Sequence, residues 1–227
     1  LMEEKKRYSH NLWEVVKRSL FDLYEHMGYT FLFSLIWFFI MMPVGVLVYN
    51  SILLYLEQKE SPFSLFLFLV PYVGLVVGPV FCALFYQASK VVEDDSSLRD
   101  LWTGFRRHYA QAAKVFALYT ALLLFALIDF FICIFLLEPM FMKFISIIIL
   151  YLIIFILLIG VYLPGFTVLQ ENTVKKVFKK ATILLLDNTL FTILAGVIIL
   201  LPLILLIVFP ILTPLLFFVY GGFLIYR

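Results

Sequence analysis

The chain predicts an all-α fold: a polytopic bundle of about six transmembrane helices, with amphipathic helices at one membrane face. Three observations predict it. Hydrophobic residues make up 64% of the 227 positions and charged residues only 14%. A soluble domain of this length has no core large enough to hide that much apolar surface. Long runs nearly free of charge recur along the chain, and the basic residues gather between alternate runs.

A helix crosses the roughly 30 Å hydrocarbon core with about 20 predominantly apolar residues. Residues 27–56, 61–89 and 144–170 contain no Asp, Glu, Lys or Arg, and residues 115–137 contain only Asp129. These are the first four spans. Residues 188–226 form an uncharged run of 39. At 1.5 Å per residue it reaches about 58 Å, close to two bilayer cores. It reads as a hairpin of two short helices turning near residues 209–214, or as one span plus a re-entrant segment. Six spans leave little sequence for a separate soluble domain. Residues 1–227 are therefore read as one membrane domain: an amphipathic interfacial segment, 1–27, and a bundle, 28–227. The charged, amphipathic stretch ahead of the first run does not read as a signal peptide. Cys82 and Cys133 both fall inside spans, where a small apolar packing role outweighs a disulfide. The net charge of +2 gives no reason to expect a nucleic-acid partner.

Short loops rich in Lys and Arg stay in the cytoplasm. Lys5, Lys6, Arg7, Lys17 and Arg18 precede the first span. Lys90, Arg99, Arg106, Arg107 and Lys114 follow the second, Lys175, Lys176, Lys179 and Lys180 follow the fourth, and Arg227 ends the chain. With six spans all of these share one side, and only Lys59 and Lys143 fall on the other. The expected orientation has both termini in the cytoplasm. An odd number of spans would move Arg227 alone.

The segments on the basic side carry helical periodicity. Leu12, Val16, Leu20, Leu23 and Met27 recur at helix spacing in the N-terminal segment, the pattern of a helix lying in the interface. A second such helix is expected over 97–114. Ser97 and Asp100 give it a capping-box start. Leu98, Leu101, Trp102, Phe105, Tyr109 and Ala112 form its apolar stripe, with Arg99, Arg106 and Arg107 on a more polar side. A third is expected over 173–181, where Val174, Val177 and Phe178 oppose four lysines. These helices either anchor span ends among anionic head groups or offer a docking surface, with Trp102, Phe105, Arg106 and Arg107 as the candidate partner-facing residues. Span two, helix and span three also resemble span four, helix and span five in layout, the pattern of a weak parallel repeat.

Within the spans, Gly74 and Gly78 stand four apart, the spacing that lets two helix backbones approach closely. Pro79 follows and Pro71 precedes them, each removing a backbone donor. The expected role of Gly74, Gly78 and Pro79 is tight packing with a kink; a broken helix at a substrate site is the alternative. Asp129 is the single acidic side chain deep in a span. Such groups are paired, protonated or water-facing, and mark pathways by default. Asn50 and Tyr49 in span one stand at a similar depth and are its candidate polar partners. Asp187, Asn188 and Thr189 read as the cap of span five. There is no Gly-rich phosphate loop, no His or Cys at metal-ligand spacing, no Ser-His-acid set and no paired intramembrane carboxylates. The expectation is a protein that is not an enzyme and takes no cofactor or metal.

Several short motifs together resemble the YesL-like family of small bacterial membrane proteins, over most of the chain. They are Trp37 and Pro43 in span one, Gly78-Pro79 followed by Ala83-Leu84-Phe85-Tyr86, the helix over 98–114 with Phe105, Leu163-Pro164, and the lead-in to span five over 181–188. The family more often has Leu-Pro in span one and an Ala pair after Gly-Pro; here stand Met42-Pro43 and Phe81-Cys82-Ala83. The resemblance implies a bacterial plasma membrane, Gram-positive in the typical case. It also implies an accessory role beside a carbohydrate ABC importer, whose permease or solute-binding subunits would be the partners along with the lipid bilayer. It supplies no catalytic residue. A small transporter or channel using Asp129 and span two is the alternative reading, and a membrane-bound enzyme acting on lipid or glycan a distant third.

Overall fold

The computed structural model describes residues 17–18, 21, 24–57, 63–93, 97–136, 139–170 and 172–197, and these residues contain helices and no strand. In chain order they are α1 (Met27–Leu56), α2 (Phe63–Tyr72), a π-helical segment (Val73–Val77), α3 (Gly78–Val92), α4 (Leu98–Phe131), a second π-helical segment (Ile132–Leu136), α5 (Met140–Val168) and α6 (Val174–Asp187). A short α7 (Thr189–Val197) follows a bend of 95°. Four helices are long and apolar enough to cross a membrane: Met27–Leu47, Phe68–Val91, Arg99–Phe135 and Met140–Val168. The bent pair α6–α7 makes a fifth if it is counted as one span. The sixth span falls in 198–227, outside the described residues, as does most of the amphipathic segment 1–27. Of that segment Lys17, Arg18, Phe21 and residues 24–27 are described, and all but the half-buried His26 are exposed.

The region between α2 and α3 does not break. Pro79 offers no N–H, and in an α-helix its ring would press on the carbonyl four residues back. The chain answers by widening one turn. The N–H of Gly78 reaches back five residues to the Val73 carbonyl, and Tyr72 and Gly78 both keep right-handed helical dihedrals. The broken-helix alternative for span two is therefore replaced by a continuous helix with a π turn. The Tyr72 hydroxyl donates to the Ile40 carbonyl at 2.9 Å, fastening this helix to α1.

A second difference from the sequence reading concerns α4. The helix expected over 97–114 and the span expected from 115 are one element, continuous from Arg99 to Phe135 over 37 residues. Its length is about 55 Å at 1.5 Å per residue. The physical reason is local. Helices end at proline, or at a residue that caps their last carbonyls, and nothing of that kind stands between Gly104 and Val115. A change from charged to apolar side chains moves the helix from one solvent to another without stopping it. Its start is the one the sequence announces. The Ser97 N–H and hydroxyl both donate to the Asp100 carboxylate, at 2.7 and 2.9 Å.

α4 is the axis of the described bundle. α3 runs antiparallel to it on one side: Gly78 lies against Phe116, and further along Gly104 lies against Tyr86. α5 runs antiparallel on another, with Gly160 against Tyr119. Cys82, Phe85, Val115, Phe116, Ile159 and Leu163 form the core between them, and α6 closes it with Val177, Ala181 and Leu185. A second cluster joins α1 to α3 through Phe33, Trp37, Val77, Leu84 and Val91. The outer faces stay apolar: Phe39, Phe125, Phe141, Ile148 and Tyr151 are all exposed. Contiguous apolar surface of that extent is a liability in water and the ordinary condition of a helix in hydrocarbon.

Candidate docking face

The N-terminal half of α4 carries the most chemically distinctive surface of the described chain. Helical spacing places Arg99, Trp102, Thr103, Arg106 and Arg107 along one side, where they line an open depression. Trp102 is 55% exposed. Its ring is not loose: the Arg106 guanidinium sits 5.0 Å from its centroid. Phe105 stacks with it at 5.7 Å with the planes 13° apart, and Tyr109 meets Phe105 edge-on at 5.3 Å. A cation over an indole face is held by the ring quadrupole. The result is a basic surface built around a fixed aromatic plate, at the end of the bundle that also carries Lys175, Lys176 and Lys179.

All four candidate residues from the sequence therefore lie together, in two roles. Trp102, Arg106 and Arg107 face outward. Phe105 is half-buried and backs the plate. The face is supported from below by the Gly104–Tyr86 contact and by the buried His108, whose ring packs 5.8 Å from Tyr86. Asp100 belongs to the same end. Its carboxyl is held below the ordinary carboxylate value by the hydrogen bonds it accepts from the backbone and side chain of Ser97.

Asp129 lies on the same helix, 23 residues beyond Arg106, or about 35 Å along the axis. It is half-exposed and sits one turn before the second π-helical segment, with its own carbonyl accepting from the Ile132 N–H. The expected pairing with Asn50 or Tyr49 is not formed. Both are exposed on α1, and no hydrogen bond joins either to Asp129 among the described residues. The reason is placement: α1 packs on α2, α3 and the turn between them, not on the outer half of α4. Gly74 and Gly78 are buried against α4. A methyl group added at Gly74 would stand 2.7 Å from Cβ of Ala117, and one at Gly78 would collide with Cβ of Phe116. Pro79 is fully buried beside them.

Sequence reasoning passed over a set of polar residues that the fold assembles beneath the docking face. The buried Gln87 donates to the Ser97 carbonyl at 2.9 Å. Gln111 donates to the Asn172 carbonyl, and Asn172 donates to the Phe166 carbonyl at 3.2 Å. Lys180 donates to the side-chain oxygens of both Gln170 and Asn172. This knot ties α4, the end of α5 and α6 to one another. Its bonded partners Gln111 and Asn172 are 61 residues apart, so no local spacing announces them. A polar residue isolated in an apolar run, such as Gln87, is the one signal available. Among the described residues no group of three or more His, Cys, Asp or Glu is placed to hold a metal ion. No family model, curated protein or solved structure matches the chain.

Proposed function

We propose that the chain is a multi-pass, non-enzymatic membrane protein that docks a partner through the basic face of α4, as an accessory or regulatory component of a carbohydrate ABC import system. The observation that carries the docking role is the preset plate of Trp102 flanked by Arg106 and Phe105. Trp, Tyr and Arg dominate the energetics of protein interfaces because they bury large area at little entropic cost, and here the aromatic plate is already held in place. The helix supports the reading as well. About 55 Å of continuous helix exceeds a bilayer core of about 30 Å, so the plate stands clear of the hydrocarbon. The resemblance to YesL-like proteins supplies the importer as partner, in a bacterial plasma membrane. The distribution of basic residues supports cytoplasmic termini and six spans, with α6 as an interface helix leading through the 95° bend into span five.

The test is affinity purification in mild detergent from the native host. Importer permease or solute-binding subunits should co-purify with the native chain and be lost from the Trp102→Ala/Arg106→Glu variant at equal membrane abundance. A second reading, direct transport, draws on the half-exposed Asp129 beside a π turn, a feature that recurs at functional sites. Growth on a panel of oligosaccharides separates the two. Under the docking role the α4 variant is impaired and Asp129→Asn is nearly silent; under transport the order reverses, because Asn cannot titrate.

A further inference from the structure

We propose that α6 is an anionic-phospholipid site, in which Lys175, Lys176 and Lys179 hold lipid phosphates while Ile183 and Leu186 on the same helix face meet the acyl chains. The inference rests on the membrane-spanning reading of the bundle and not on the docking role of α4.

The face is defined by what the opposite one does. Val177, Ala181 and Leu185 are buried in the core shared with α4 and α5, which fixes the rotation of α6 about its own axis. At 100° per residue the exposed arc then holds Lys175, Lys176, Lys179, Ile183 and Leu186, and all five are exposed. The arc is not uniform. Its first two turns are basic and the next carries the apolar Ile183 and Leu186, at 46% and 62% exposure, before the exposed Asp187 closes the helix. Past the exposed Asn188 and Thr189 and the 95° bend, exposed apolar side chains return at Leu190, Ile193 and Leu194 of α7. A helix wholly in water gains nothing from exposing Ile183 and Leu186. A helix wholly in hydrocarbon could not hold three lysines there. The arc matches a boundary that passes between Lys179 and Ile183.

Charge and chemistry select the occupant. The fourth lysine of the helix, Lys180, points elsewhere, its ammonium engaged by Gln170 and Asn172. The other three are on the exposed arc, and no hydrogen bond or ion pair joins them to another described residue. Basic residues at a membrane surface attract anionic lipid, and an apolar strip immediately alongside accommodates the chains that a soluble phosphate lacks. The knot of Gln111, Asn172 and Lys180 ties the start of α6 to α4 and the end of α5, and the three lysines share one arc of that tied helix.

The test uses the full chain in nanodiscs of phosphatidylcholine, with phosphatidylglycerol as a minor component, read by native mass spectrometry of retained lipid. Phosphatidylglycerol should be retained in preference to phosphatidylcholine. The preference should fall about fivefold for each of Lys175, Lys176 and Lys179 replaced by Gln, and stay unchanged in Lys143→Gln, at the far end of the bundle. Equal loss in the Lys143 variant, or no loss in the triple variant, overturns the site. Soluble glycerol phosphate should not displace the lipid; displacement would show an anion site without a lipid requirement and overturn the proposal. Spin labels at positions 176, 179, 183 and 186 supply the second readout. Oxygen accessibility relative to a polar nickel reagent should step up between 179 and 183, and a flat profile overturns the acyl-chain contact. Failure of the chain to remain in nanodiscs at all would instead count against the membrane-spanning reading.

Discussion

Two absent side chains hold the centre of the bundle. At Gly74 an added methyl meets the backbone of Ala117 at 3.0 Å as well as its side chain, and backbone cannot step aside. At Gly78 it meets the stem of the Phe116 ring. Replacing either glycine with Leu should destabilise the protein by about 1–3 kcal/mol, the cost of overpacking a fitted core, read as a lower melting temperature in detergent. Gly45, which has open space around its Cβ position, is the control: Gly45→Ala should leave the melting temperature unchanged or raise it slightly. Asn172 is the polar counterpart. Asn172→Ala leaves the half-buried Phe166 carbonyl without the Asn172 donor and Lys180 without one of its acceptors. A cost of about 1–3 kcal/mol is expected for such a lost partner, with Asn172→Asp recovering only the acceptor toward Lys180. The glycine spacing was legible in the sequence because it is local. The contacts of Gly104 with Tyr86 and of Gly160 with Tyr119 were not, because each is a lone glycine whose counterpart is set by the crossing of two helices.

Among the elements, the first four apolar helices follow the uncharged runs closely, since hydropathy over about 20 residues is a signal that tertiary packing has little power to override. The joints were harder to read. Pro79 announces a lost hydrogen bond but not that the chain restores order by a turn of wider register. The basic segment over 97–114 announces an amphipathic helix but not that it continues into span three, because the sequence marks solvent boundaries and the backbone obeys caps. That start can be tested by pH. Asp100 has a folded pKa below the ordinary carboxylate value of 3.8, through the bonds it accepts from Ser97. A depressed folded pKa means that its stabilisation is fully present above that ordinary value and is lost as the pH falls through the lower folded one. The protection factor at the first turn of α4, taken against the intrinsic exchange rate at each pH, should therefore hold at pH 6 and fall as the pH drops below 3.8. Asp100→Asn should show the acid behaviour at neutral pH. Ser97→Ala should cost about 0.5–2 kcal/mol, the range for a lost N-terminal cap.

At the scale of the whole molecule, the arrangement of charge predicts a topology. Single cysteines at Glu60 and Glu138 should react with an impermeant thiol reagent in intact cells, and cysteines at Glu4, Asp95 and Glu171 should not. Labelling of the second group in sealed cells would reverse the orientation, and a tag after Arg227 tests the sixth span by itself. The close approach at Gly78 has a further consequence, for the order in which the chain is made. Each apolar helix satisfies its own backbone in hydrocarbon and can enter the bilayer alone, whereas contacts between helices come from packing afterwards. The partner of Gly78 is Phe116, which leaves the ribosome 38 residues later. Until then the notch in span two faces lipid and holds nothing. Gly78→Leu should accordingly leave insertion and the labelling pattern intact while the finished protein melts earlier. A nascent chain stopped before span three has emerged should be indifferent to that substitution, and one stopped after it should be sensitive.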